Sequence, residues 1–189
     1  MGLSILATVV AVGVVLAAVV WLGGVYNGLV AAKHECDREW ANIDVLLKQR
    51  HDELPKLVEV CKGYMAHERQ TLEAVTAARE RYSAAQTPAE AVQASSAISS
   101  ALRQLFAVAE NYPQLRAVEV FQQLERRVSD LEAQIADRRE LYNAAANGWN
   151  VRIEQVPDRF VAAFMGGQPR ELWKADPADR EDVKLGLAG

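Results

Sequence analysis

Phe121-Gln122-Gln123-Leu124-Glu125-Arg126-Arg127-Val128-Ser129-Asp130-Leu131-Glu132-Ala133-Gln134-Ile135 opens the stretch that decides the fold. Phe121, Leu124, Val128, Leu131 and Ile135 recur at steps of three and four, and Arg138, Tyr142, Ala145 and Trp149 continue the series. A half-buried strand alternates every second residue. This spacing averages 3.5, the period of a helix that packs knobs into holes against another helix. The helix is predicted to end near Ile153 to Val156, because the residue before Pro157 avoids helical backbone.

The same period holds upstream. From Leu29 one heptad position reads Leu29, Cys36, Ile43, Arg50, Leu57, Tyr64, Thr71 and Ala78. The other reads Lys33, Trp40, Leu47, Leu54, Cys61, Glu68, Val75 and Tyr82. This predicts one long helix, with a kink or break near His51 to Leu54, because Pro55 removes a backbone bond and crowds the preceding turn. Ser83 to Gln86 reads as a loop. Thr87-Pro88-Ala89-Glu90 then starts a second helix, with Thr87 as cap, Pro88 in the first turn and Glu90 completing a capping box. That helix is rich in Ala and Ser, turns Val92, Ile98, Leu102, Leu105, Phe106 and Ala109 inward, and stops at Tyr112-Pro113. After the third helix, Val161, Ala162, Phe164 and Met165 suggest a short amphipathic helix.

The N-terminus has a different character. No charged residue precedes Lys33, and Leu3 to Leu22 is almost pure Val, Leu, Ala and Ile. About 20 apolar residues suffice to cross a bilayer as a helix. A cleaved signal peptide needs a basic start, a shorter apolar core and a small-residue cleavage site. The run has none of these, and Trp21 and Tyr26 suit a membrane–water boundary. A retained single-pass anchor is therefore expected. Lys33 and Arg38 are the basic residues of its flank, which places the main domain on the cytoplasmic side by the positive-inside bias.

The expected fold is all-α: an N-terminal transmembrane helix (1–25) continuing into an elongated antiparallel three-helix, coiled-coil-like bundle with a short C-terminal helix (26–165). A flexible charged tail (166–189) would follow, disordered from Ala175 to Gly189. A net charge of −4 with interspersed signs gives no basic stripe for nucleic acid. The two cysteines, Cys36 and Cys61, lie 25 positions apart on one predicted helix. They cannot bridge within the chain, which leaves two buried thiols or an intermolecular disulfide.

Arg50, Glu68, Thr71 and Arg138 interrupt the apolar seams, and Asn143 and Asn147 lie beside them. A polar layer that fixes register, or a seam facing another subunit, accounts for them more economically than a catalytic acid or a metal site. His67-Glu68 lacks the second histidine of His-Glu-x-x-His, since position 71 is Thr. None of His34, His51 and His67 follows a glutamate by three, as di-iron bundles require. Nor does a histidine fall on the second or third helix to activate a serine. No catalytic, cofactor-binding or metal residue is nominated.

The chain resembles the LemA family of bacterial membrane-anchored helical proteins. Tyr26-Asn27-Gly28-Leu29-Val30, Trp40 to Arg50, Leu54 to Val58, Gly63-Tyr64, His67-Glu68, Val75 to Arg79, Glu110 to Leu115, Phe121 to Leu124 and Arg139 to Asn143 carry the likeness. The resemblance implies a short outer N-terminus, one span of the bacterial inner membrane and a cytoplasmic bundle. A related branch is associated with magnetosome membranes. The family supplies no catalytic residues to transfer. Two functions fit: a non-enzymatic scaffold that self-assembles or binds a membrane protein, or a signalling or protease-regulatory module sensing a ligand through the bundle. Gly24 and Gly28, spaced for close helix approach, favour the first.

Overall fold

The computed structural model describes residues 2–173, and most of the residues described are helical, with no strand among them. The helices are α1 (Gly2–Lys62), α2 (Arg69–Ala84), α3 (Pro88–Ala109), α4 (Pro113–Arg116), α5 (Glu119–Glu154) and α6 (Asp158–Phe164). The all-α expectation holds. The Ala175 to Gly189 segment expected to be disordered lies outside the described residues. Contacts divide the described residues into two units, one of positions 2–41 with 140–172 and one of 42–139 with Trp173.

In the second unit, the predicted break at Pro55 is absent and α1 runs through it. Pro55 lies on the exposed face, where water can take the His51 carbonyl that loses its partner. Leu54 and Leu57 on either side are fully buried, and Val58 is nearly so. At about 1.5–3 kcal/mol for each buried side chain, they outweigh the roughly 3 kcal/mol cost of an internal proline. The chain breaks instead at positions 63–68. Tyr64 N and Met65 N both bond Cys61 O, at 3.0 and 2.9 Å, and Glu68 N bonds Met65 O at 3.0 Å. Met65 is fully buried and anchors this turn.

Beyond the turn, α2 runs back along α1. Tyr82 donates to Asp44 at 3.5 Å, and His51 Nε2 and Ser83 Oγ share a bond of 2.8 Å. The single upstream helix is thus a hairpin, and the predicted three-helix bundle gains a fourth member here. Sequence spacing conceals this because the seven-residue repeat passes through the turn without a phase change. At the turn itself Tyr64 is 45% exposed where a seam residue should be buried.

The other expected boundaries appear. Thr87 Oγ1 accepts from Glu90 N at 3.2 Å, and Glu90 Oε2 accepts from Thr87 N at 3.3 Å, completing the capping box. Tyr112 leaves helical backbone, with φ −119° and ψ 77°, just before Pro113. The core draws Leu57 and Cys61 from α1, Leu72 and Val75 from α2, Ile98 and Leu102 from α3, and Phe121 and Val128 from α5. Along α5 one of the two seam positions slips by a residue, while Ile135, Tyr142 and Trp149 keep the other. Arg138 is exposed and Arg139 half-buried, while Ala145 gives way to the fully buried Ala146. A helix of 3.6 residues per turn falls about 20° behind a seven-residue repeat each heptad, so after two or three heptads the next residue faces inward.

In the first unit, Leu29 and Cys36 of α1 pack with Trp149 of α5 and Ala162 of α6. Arg152 donates from Nη1 to Gly28 O at 2.6 Å and from Nε to Asp158 Oδ2 at 2.8 Å. A Cβ on Gly28 would lie 2.6 Å from Arg152 Nη2, so glycine leaves room for the guanidinium. After α6 the chain turns at Gly166, whose φ of 67° favours glycine. It then lies along α5 as a strap. Trp149 Nε1 donates to Gln168 O at 2.8 Å, and Tyr142 OH donates to Glu171 O at 3.1 Å. Asn150 donates to Arg170 O at 2.8 Å and accepts from Arg170 N at 2.7 Å. Positions 166–171, expected to belong to the flexible tail, are therefore fastened to the helices.

Candidate functional site

The clearest concentration of polar chemistry in the core surrounds Arg50. Its heptad position on α1 turns it inward, and it is fully buried. α3 approaches with small side chains, so Ser95 and Ser99, one turn apart, face the guanidinium. Arg50 Nη2 donates to Ser95 Oγ at 2.7 Å and to Ser95 O at 3.3 Å. Nη1 donates to Ser99 Oγ at 2.9 Å and forms the ion pair with Glu132 of α5. Ser99 Oγ in turn donates to Glu132 Oε2 at 2.8 Å. Three helices are thus tied through one layer.

Burial pulls the Arg50 guanidinium below its usual value, and the Glu132 carboxylate opposes that pull. Arginine begins so high that it stays charged. Such a layer is held by mutual satisfaction, because an uncompensated buried charge costs far more than the pair contributes. Arg50 Nε alone finds no partner. The Glu132 side chain is 31% exposed, so the layer meets solvent at its carboxylate end, while the guanidinium is sealed. The arrangement can fix helix register. It offers no open position in which a substrate could meet the charge.

The other polar seam positions lie elsewhere. Glu68 sits half-buried in the turn before α2, where Tyr112 OH donates to its Oε1 at 2.9 Å. That bond to a carboxylate pushes the Tyr112 phenol up. Arg138 is exposed on α5, contrary to its expected core position, through the seam slip already described. Thr71 and Asn143 are half-buried, and Asn147 is exposed. Sequence spacing identifies Arg50 and misses Glu132, Ser95 and Ser99. Glu132 follows the seam residue Leu131, and the two serines lie one turn apart on an Ala- and Ser-rich helix; those were the available signals.

Cys36 and Cys61 are free and buried. Burial pushes the Cys36 thiol up and the Cys61 thiol to about 11, so both remain protonated at neutral pH. With both sulfurs inside the helices, an intermolecular bridge has nothing exposed to form from. Among the described residues, no group of three or more His, Cys, Asp or Glu side chains is placed to hold a metal ion. α1 holds an 18-residue window apolar enough to cross a membrane, none of it buried.

A model of the LemA family matches residues 39–186. Magnetosome proteins MamQ 1 and MamQ 2 of Paramagnetospirillum magneticum are each 35% identical over 79 residues, which is 42% of this chain and 29% of theirs. Magnetosome protein MamQ of Magnetospirillum gryphiswaldense is 32% identical over 79 residues, again 29% of its length. The similarity thus spans under a third of these curated relatives.

Proposed function

The chain belongs to the LemA family, and on that premise we propose that it is a membrane-anchored, non-enzymatic scaffold. It presents its helical faces to further copies of itself or to a membrane-protein partner, and so organises a membrane complex. One observation carries the reading: an unburied apolar window runs without interruption into the same helix that carries the buried Arg50 charge. The MamQ relatives are named for the magnetosome and bring no reaction to transfer. Lys33 and Arg38 support a cytoplasmic bundle on a bacterial inner membrane.

A signalling relay along the rod needs a flexible point such as a break at Pro55 and a polar core layer through Arg50, Glu68 and Arg138. α1 continues through Pro55, and Glu68 and Arg138 lie outside the core, so the Arg50 layer alone remains to support it. The test is the mass and composition of the complex extracted from native membranes in mild detergent. A closed homo-oligomer, or a stoichiometric complex with an identified membrane protein, supports the scaffold. A monomer that co-purifies with nothing overturns it. For orientation, protease added to spheroplasts should leave the bundle intact, and its digestion would place it outside.

A further inference from the structure

α6 has two faces with different fates. Val161 and Ala162 pack with Val25, Leu29 and Ala32 of α1. Phe160 and Phe164, one turn apart, point away and are 70% and 92% exposed; Val156, just before the helix, is 72% exposed. Side chains of that size seldom stay bare in a cluster without something to cover them.

The position on α1 identifies the cover. The apolar run ends at Leu22, and α6 packs beside Val25 to Ala32. At 1.5 Å per residue that is about 5 to 15 Å beyond the run. The headgroup zone on each side of a bilayer core is about 5 to 8 Å deep. The packing of α6 on α1 therefore begins at headgroup level whenever the run spans the core. Trp21 and Tyr26, 56% and 46% exposed, bracket the same level and are the residue types found there. Arg159, exposed just before Phe160, and Lys33, exposed on α1, supply positive charge for lipid phosphates. Asp158, the nearby acid on α6, is neutralised by Arg152.

We infer that α6 is a second membrane contact. Phe160, Phe164 and Val156 insert into the headgroup–acyl boundary of the bilayer that α1 crosses, and Arg159 meets phosphate. The occupant is the phospholipid surface itself. This rests on the anchor reading and adds to it a fixed orientation of the first unit against the membrane.

The test uses the full chain reconstituted in vesicles of phosphatidylcholine with a minority of phosphatidylglycerol. A nitroxide is attached in separate variants at Val12→Cys, Phe164→Cys and Leu141→Cys, with the unsubstituted chain giving the background from the buried native thiols. Collision with oxygen reports lipid, and collision with a water-soluble nickel chelate reports water. The Val12 and Phe164 labels should favour oxygen several-fold over the Leu141 label. A Phe164 label as open to nickel as Leu141, with Val12 still in lipid, overturns the inference and leaves the anchor standing. A Val12 label open to nickel removes the anchor and the inference with it. A Phe164 label shielded from both reagents and broadened by a neighbouring spin means that a second copy covers the face, which also overturns it. Phe160→Cys reads the same face should Phe164→Cys fail to insert.

Discussion

Replacing Glu132 with Ala should destabilise the protein more than replacing Arg50 with Met. The E132A variant leaves a fully buried guanidinium facing two serines and no carboxylate. Removing one partner of a buried pair costs about 3–5 kcal/mol. The Glu132 side chain is 31% exposed, so water can reach part of the vacated space, and about 2–3 kcal/mol is expected. Arg50→Met removes the charge itself. Glu132 keeps its solvent edge and the Ser99 hydroxyl, and the loss should be about 1–2 kcal/mol. The R50M/E132L double variant leaves no buried charge and should lie within about 1 kcal/mol of the parent. The coupling between the sites is then at least about 2 kcal/mol. Thermal unfolding of the detergent-solubilised chain, followed by helical circular dichroism, reads this directly. At roughly 2–4 °C per kcal/mol for a chain of this size, E132A should fall by about 4–12 °C. Additive single effects, with coupling below about 0.5 kcal/mol, would refute the view that the layer acts as one unit.

Thr87→Ala removes the Oγ1 that accepts from Glu90 N and should cost about 1 kcal/mol in the same assay, with an unchanged midpoint counting against the cap. Asn150→Ala breaks both bonds to Arg170 and should raise hydrogen exchange along positions 167–171 while α3 stays protected; equal exchange in both variants would deny the strap. Cys61 is an acid whose folded value is raised. Its contribution is complete below the unfolded thiol value of about 8.5 and declines as pH rises towards the folded value of about 11. Cys61→Ala should therefore lose stability less steeply than the parent over that alkaline window, and parallel curves would contradict the assignment. The folded chain should also resist thiol reagents at neutral pH until it is unfolded, and rapid labelling would show a sulfur within reach.

What could be seen in the sequence was whatever a local period or a cap encodes. The α5 seam, the Thr87 box and the stop at Tyr112 each arise from neighbours within a few residues, so spacing was enough. The hairpin at Met65 was not visible, because a reversal that preserves the seven-residue phase leaves no mark in a periodic pattern. Pro55 misled in the opposite sense: its penalty is local, whereas the burial that outweighs it comes from other helices. Arg50 could be nominated from its heptad position, but its partners sit 45 to 82 residues away on α3 and α5. No charge pattern near Glu132 pointed back to it. The strap is a similar case. A Gly- and Pro-containing segment rich in charge looks flexible until Trp149, Asn150 and Tyr142 supply partners for its backbone.

α1 passes from its apolar window to Leu29 and Cys36 with no joint, so azimuth is conserved along it. The side chains that look towards α5 and α6 at Leu29 determine which flank of the span looks the same way three turns earlier. Inserting one residue at Gly23-Gly24 would not lengthen a tether. It would turn the lipid-embedded surface by about 100° relative to the packed unit, and any neighbour recognised by both would then be addressed out of phase.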